Sequence, residues 1–299
     1  MSAGSPASAQ WTRRPERGSL LLVRFMTWFS LTVGRPASRV LMRAIAVYFY
    51  AFSPSARRHS RAYLERCLGR APTLAERFAV FLAFSSTIHD RVFFLEDRYD
   101  AFEIEVRGAE VLASGGNFLL GAHLGSFEAM GAAARHHACR RVAMAMYEDN
   151  ARRLNAILAT INPRAMADVV PLGHLDSMLR LRSRLDAGDL VGLLADRTFG
   201  DEAVHEVSFL GAPAPFPTGP MRLAAALRRK VYLMVGLYRG GNRYELRFEE
   251  LADFTALDAS VGRDASVRAA IEAYVARLEH YCRAAPDNWF NFHDFWREG

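Results

Sequence analysis

Phe118-Leu119-Leu120-Gly121-Ala122-His123-Leu124-Gly125-Ser126-Phe127-Glu128 decides the fold. Its apolar run follows Gly115-Gly116 and reads as a buried strand, and a helix follows from about Gly125 to His137. A strand feeding a helix through so short a turn is the unit of an α/β sheet. His123 then stands at the carboxyl edge of a strand, where open α/β sheets place their sites. Glu128 falls in the first helical turn, where the macrodipole favours a carboxylate. The turn between them can fold that carboxylate onto the imidazole, fixing its tautomer and raising the basicity of the other ring nitrogen. Backbone N–H groups of Gly125 and Ser126 are candidate donors to an oxyanion. A His-x4-Glu pair by itself is a weak signal, since a lone histidine is usually a satisfied structural residue.

The pattern continues outward. Arg141–Met146, Val169–Leu172, Leu190–Ala195 and Val231–Tyr238 read as strands, and Phe102–Val106 and Tyr244–Phe248 alternate. Helical stretches run over Asn150–Asn162, His174–Ala187, Pro217–Arg229 and Asp264–Ala284. Strands and helices in this alternation predict a largely parallel central sheet flanked by helices. Residues 20–98 read as helical, with turns near Gly34-Arg35-Pro36, Ser53-Pro54 and Gly69–Pro72, and a capping box at Thr73 to Glu76. The expected organisation is one domain: a polar tail over 1–18, a helical membrane-facing cap over 19–98 and an α/β core over 99–299.

Composition narrows the function classes. Hydrophobic residues make up 51% of the chain and charged ones 23%, enough for a real core. The net charge of +6 suits an anionic membrane or an acidic partner. Nucleic acid is not expected: there is no zinc-ligand spacing, aromatic RNA-binding signature or dense basic run. The three scattered cysteines argue against a disulfide framework and a structural zinc. His136 and His137 are adjacent and project differently from a helix, so no metal is expected. The first N-terminal apolar stretch is interrupted at Arg24 and the second, Ala44–Phe52, is bounded by Arg43 and Arg57, both short of an ordinary spanning helix. They read as interfacial helices with Phe25, Trp28, Phe29, Tyr48, Phe49 and Tyr50 at headgroup depth, or as helices packed on the core.

A second charged strand end follows at Leu193-Leu194-Ala195-Asp196-Arg197. Asp196 and Arg197 are either site residues or a local ion pair. Beyond them Gly211, Pro213, Pro217 and Gly219 shape a rigid loop, either a pocket wall or a turn before a helix. Ser126 lacks the Gly-x-Ser-x-Gly elbow of a nucleophile and reads as a helix cap.

Taken together, these segments resemble the lipid A late acyltransferase family of the lysophospholipid acyltransferase superfamily. The resemblance rests on His123-x4-Glu128, on Asp196-Arg197, on Phe209-x-Gly211-x-Pro213-Ala214, on Thr218-Gly219 and on the Pro286-to-Trp296 ending. It runs from about Trp11 to the C-terminus, and in detail it is closer to a divergent bacterial branch. It implies a thioester-dependent O-acyltransferase with His123 and Glu128 as its catalytic dyad. Gly125, Ser126, Arg164, Asp196, Arg197, Gly211, Pro213, Thr218 and Gly219 are then candidate oxyanion or substrate contacts. It further implies an acyl carrier protein as donor, a lipid or glycolipid acceptor, no cofactor beyond the thioester, and the cytoplasmic face of a bacterial inner membrane. Arg152, Arg153, Arg180, Arg182 and Arg184 are a candidate carrier-protein patch. Arg164 alone matches the family's arginines after the second helix, and no single spanning helix is evident. The acceptor stays open among a lipid A precursor, an amino-acid lipid and a polyene or glycolipid hydroxyl. A lipid or thioester hydrolase with the same dyad, or a non-catalytic membrane-binding protein, are the rival readings.

Overall fold

The structure, a computed structural model, describes residues 20–138, 141–147, 161, 168–173, 176–198, 202–256 and 262–296. Four helices come first: α1 (Leu20–Val33), α2 (Arg35–Phe52), α3 (Pro54–Leu68) and α4 (Leu74–Leu95). Their breaks follow the sequence. Gly34 takes φ 84° ahead of the Pro in the first turn of α2, Pro54 opens α3, and Gly69 closes α3 in the left-handed region. Thr73 and Glu76 form the expected capping box at α4.

The core then alternates through β1 (Glu103–Arg107), β2 (Phe118–Gly121), α5 (Phe127–Ala138), β3 (Val142–Tyr147), β4 (Val169–Leu172), α6 (Ser177–Asp186) and β5 (Leu190–Leu194). After these come β6 (Val204–Phe209), β7 (Ala212–Pro217), α7 (Gly219–Ala226), β8 (Lys230–Tyr238), β9 (Arg243–Asp253) and α8 (Arg263–Ala284). The main sheet has the order β1-β9-β8-β2-β5-β3-β4. Every neighbouring pair is parallel except β8 with β9. The central strand β2 is buried throughout, which explains why its sequence is a continuous apolar run rather than an alternating one. The helix expected over Asn150–Asn162 lies, but for Ile161, outside the described residues.

The segment expected as a rigid loop before α7 is instead the β6–β7 hairpin, antiparallel from Val204↔Pro217 to Phe209↔Ala212. Its two-residue turn, Leu210-Gly211, has positive φ at both positions, the geometry that matches strand twist in tight hairpins. The prolines of β7 disguise it in the sequence, yet a two-stranded ribbon tolerates them.

The cap is joined to the sheet by a buried polar network. Arg35 on α2 binds Asp90 on α4 through Nε at 2.8 Å and a terminal nitrogen at 2.7 Å, and the Tyr244 hydroxyl of β9 donates to the same carboxylate at 2.8 Å. Burial works to raise the Asp90 carboxyl, but His89, Arg35 and Tyr244 outweigh it and hold it below its ordinary value. Among the described residues α4 is the one helix long and apolar enough to cross a membrane, and it is mostly buried inside the protein. Tyr50 is half-buried, packing edge-on against Phe78 and Phe81.

Candidate active site

The site is built where β2 and β5 end side by side. Their register pairs Gly121 with Leu194, and the Gly121 carbonyl takes the Ala195 N–H at 3.0 Å. It also takes the Tyr274 hydroxyl of α8 at 2.8 Å, so both strand ends are fixed from the helix layer. Continuing each strand brings His123 opposite Asp196. The His123 ring sets Nδ1 at 2.9 Å from Asp196 Oδ1, and the His123 main-chain N–H donates to Oδ2 at 3.0 Å. The Trp289 indole N–H donates to that same Oδ2 at 3.0 Å. An ionised carboxylate only accepts, so Nδ1 carries the proton and Nε2 offers a lone pair.

The electrostatics keep that lone pair free. Burial, then Arg197 and Arg91, push the His123 imidazole below its ordinary value and outweigh the opposing pull of Asp196. The ring is 31% exposed, so solvent tempers the burial effect, but both guanidinium groups act in the same direction. Burial alone would raise the Asp196 carboxyl, yet His123, Arg197 and Trp289 hold it well below the usual carboxylate range. The pair therefore rests as a neutral imidazole on a charged carboxylate.

Glu128 does not hold the imidazole. Its carboxylate forms an ion pair with Arg91 Nε of α4 at 2.6 Å. The first turn of α5 points it toward the cap, and the carboxylate that meets the imidazole is that of Asp196. Nor are the Gly125 and Ser126 N–H groups free for an oxyanion. Gly125 donates to the Asn288 carbonyl at 2.9 Å and Ser126 to the Gly236 carbonyl at 2.8 Å. Gly125 sits at φ +72°, where a Cβ would fall 1.9 Å from the Gly236 oxygen; only glycine lets the loop lie this close to β8. The Ser126 hydroxyl accepts the Ala129 N–H at 3.1 Å, the helix cap expected of it.

A C-terminal strap completes the site. The loop carrying His123 pairs with it: Leu124 bridges to Trp289, and Phe290 N–H donates to the His123 carbonyl at 2.8 Å. Arg197 reaches the Phe290 carbonyl at 3.0 Å. Asn288 fastens the strap to β8, accepting the Tyr238 N–H at 2.7 Å and donating to its carbonyl at 3.1 Å. His293 lies within electrostatic reach of Arg197, Asp196 and His123. Burial first, then Arg197, depress its imidazole to about 3.

The remaining candidates lie elsewhere. Gly211 and Pro213 are exposed on the β6–β7 hairpin, whose turn is fixed by the Leu210 N–H donating to Glu279 on α8 at 2.6 Å. The Thr218 hydroxyl donates to the Ala203 carbonyl at 3.1 Å, and Gly219 opens α7. These contacts make the four residues parts of a hairpin and a helix start. Arg164, Arg152 and Arg153 lie outside the described residues. Arg180, Arg182 and Arg184 are paired with Asp176, Asp186 and Asp189.

Sequence reasoning missed Arg91, Asn288, Trp289 and His293 as neighbours of the dyad. Asn288, Trp289 and His293 fall in the Pro286-to-Trp296 ending on which the resemblance rests, which gave them no role; for Arg91 the signal is local, since His89-Asp90-Arg91 interrupts the apolar run of α4 and charges so placed need partners.

A parallel sheet whose carboxyl edge locks a histidine onto a buried carboxylate defines an α/β protein with a histidine–carboxylate centre. The family described as bacterial lipid A biosynthesis acyltransferase matches residues 8–298, and the chain belongs to that family. It is an acyltransferase acting on lipids, as the sequence resemblance implied. Among solved structures it is similar to the crystal structure of PlsC, the 1-acyl-sn-glycerophosphate (LPA) acyltransferase from Thermotoga maritima. The identity is 14% and the TM-score 0.44, over 88% of this chain and 96% of that one. No curated protein matches the chain.

Proposed function

We propose that the chain moves a fatty acyl group from an acyl thioester to a hydroxyl of a lipid or glycolipid, with His123 as general base and Asp196 as its orienting partner. The observation that carries this reading is the 2.9 Å contact of His123 Nδ1 with the buried Asp196 carboxylate, which leaves Nε2 as the free base. Nε2 takes the proton of the acceptor hydroxyl as its oxygen attacks the thioester carbonyl. Asp196 stabilises the imidazolium that forms. The tetrahedral intermediate collapses with cleavage of the C–S bond, and the leaving thiolate receives the proton.

Acyl carrier protein is the proposed donor. The family supports it, and the net charge of +6 is compatible with an acidic partner. The cytoplasmic face of the inner membrane is the proposed location. Its support is the apolar exposed surface of the cap, including Phe25, Trp28, Val40, Val47 and Phe52.

The test is lipid mass spectrometry of a deletion strain against its complemented twin, paired with turnover of the purified protein on carrier-protein and coenzyme A thioesters. A lipid lacking one acyl chain in the deletion strain, with carrier-protein thioester the better donor, is expected. Unchanged lipids together with acceptor-independent thioester hydrolysis would replace transfer by hydrolysis.

A further inference from the structure

The positive charge of this chain is not spread evenly. Residues 20–68, which form α1 to α3, hold eight arginines and a single acid, Glu65. That surplus of seven stands against +6 for the entire chain, so the rest of the molecule is close to neutral. On α2, Arg35 is spent on Asp90. Arg24 and Arg43, exposed on α1 and α2, share those helices with exposed apolar side chains such as Trp28, Val40 and Val47. The third helix is different. It carries Arg57, Arg58, Arg61 and Arg66, yet none of its residues is an exposed large apolar side chain. Ser60, Tyr63, Leu64 and Cys67 form its buried side, and Arg58 and Arg61 lie exposed on the opposite one. Arg61 pairs with Glu65 at 2.7 Å, an exposed i,i+4 contact of little worth that gives way to a better partner. Among the described residues no carboxylate pairs with Arg57 or Arg58. A basic face without apolar atoms suits a soluble acidic protein, whereas a bilayer contact needs both.

The same helix borders the site. Tyr63 packs edge-on against Trp289 at 4.9 Å, the Arg66 guanidinium lies 5.0 Å from the centre of the Trp296 ring, and His59 is within electrostatic reach of His293. The Trp289 indole in turn donates to Asp196. The C-terminal strap thus lies between α3 and the dyad, in contact with both. The arginines of α6 offer no comparable surplus, because Arg180, Arg182 and Arg184 each face an aspartate. We propose that the exposed face of α3, centred on Arg58 and Arg61 with Arg57 beside them, is the surface on which acyl carrier protein docks while its thioester-bearing arm extends to His123. This rests on the carrier-protein reading above. Long-range attraction between the basic face and the acidic carrier speeds their encounter, and guanidinium forks then take carboxylates in a fixed geometry.

The test uses full-length protein with the palmitoyl thioesters of acyl carrier protein and of coenzyme A, which share the pantetheine arm but not the protein, and a bacterial total lipid extract as acceptor. Arg58→Glu combined with Arg61→Glu should lower kcat/KM for the carrier-protein thioester about 10- to 100-fold at low salt, and far less at about 1 M salt, where the charges are screened. Turnover of the coenzyme A thioester, which also reports that the variant is folded, should stay within about threefold of wild type. Arg180→Glu combined with Arg182→Glu on α6 is the charge-matched control and should cost less than about threefold with either donor. Co-sedimentation with phosphatidylglycerol vesicles should be unchanged in the α3 variant. Equal losses with both donors, an unaltered carrier-protein kcat/KM, a loss as large in the α6 variant, or vesicle binding lost while the preference between donors holds would each overturn docking on α3. A wild type that takes the coenzyme A thioester as well as the carrier-protein one would instead remove the carrier-protein reading, and the docking surface with it.

Discussion

His123 and Asp196 occupy equivalent places beyond neighbouring parallel strands, since the register that pairs Gly121 with Leu194 sets them opposite one another. Sheet geometry, not the local His-x4-Glu turn, selects the partner of the imidazole. Three variants separate the two assignments. His123→Ala should lower kcat by roughly 100- to 10,000-fold, the range for a lost general base. Asp196→Asn keeps the shape, but its amide can donate to Nδ1 and favour the unproductive tautomer, so it should cost about as much. Glu128→Gln breaks only the ion pair with Arg91 and should cost less than about tenfold. Steady-state kinetics on folded protein decides; a near-normal Asp196→Asn beside an inactive Glu128→Gln would return the orienting role to Glu128.

This comparison also shows where the sequence stops being informative. The strand ends, expected at Ala122 and Ala195 and found one residue earlier at Gly121 and Leu194, the cap breaks at Gly34 and Ser53, and the α4 capping box are all written in local spacing. Register between strands far apart in the chain is not local. The sequence placed Asp196 at a strand end without saying which residue it would meet. The same reason hid the strap. Asn288 acts by mimicking a strand's main chain against Tyr238, a role that asparagine at a chain end does not advertise. The oxyanion reading failed on a different point. Free N–H groups at a helix start are a sound expectation, but the loop approaches β8 closely enough for Gly236 to consume one of them, and that approach is tertiary.

Trp289 is predicted to tune the dyad as well as pack. It is buried among Tyr63, Phe209 and Phe295, at ring distances of 4.9, 5.3 and 4.9 Å, while its N–H ends on Asp196. Trp289→Phe keeps most of the ring contact and removes the donor. A carboxylate with one donor fewer is more basic and stabilises the imidazolium more strongly. The acid limb of kcat/KM should therefore move to higher pH. Arg197, Arg91 and His293 also act on His123 and are unchanged in this variant. Phe295→Leu, in the same cluster, should lower thermal stability and leave the acid limb in place. Activity lost with no displaced limb in Trp289→Phe would reduce the indole to packing.

Exposed aromatic side chains of the cap are predicted to set membrane affinity. Phe25, Trp28 and Phe52 on α1 and α2 are 51%, 61% and 61% exposed, so replacing them with serine costs the fold little. Immersing part of each ring in a bilayer contributes on the order of 1 kcal/mol. Removing all three should then weaken binding to vesicles roughly 100-fold, since about 1.4 kcal/mol is a factor of ten. Arg24 and Arg43, both exposed, add an electrostatic share on anionic lipid that salt should screen. Vesicle co-sedimentation at low and high salt separates the two. Binding of the triple variant equal to wild type at both salt concentrations would remove these rings from the membrane contact.

Acid is predicted to destabilise the fold before its carboxylates titrate. The His293 imidazole is held at about 3, against an ordinary value of 6.5. The unfolded chain takes up this proton near pH 6.5, whereas the folded chain resists it until about 3. Between those values the unfolded state binds more protons, so stability falls as pH falls, by at most ~1.4 kcal/mol per pH unit for one group. His123, also lowered, acts in the same direction just below pH 6.5. Asp196 contributes at lower pH: its depressed carboxyl stabilises the fold above the unfolded value of about 3.9 and loses that contribution as pH falls toward the folded value. Thermal midpoints measured from pH 7.5 to 4 should therefore begin to decline near 6.5. His293→Gln, which cannot take up the proton in either state, should flatten the slope between pH 6.5 and 4 while leaving any loss below pH 4 in place. An unchanged slope in that variant would show that another group carries the acid sensitivity.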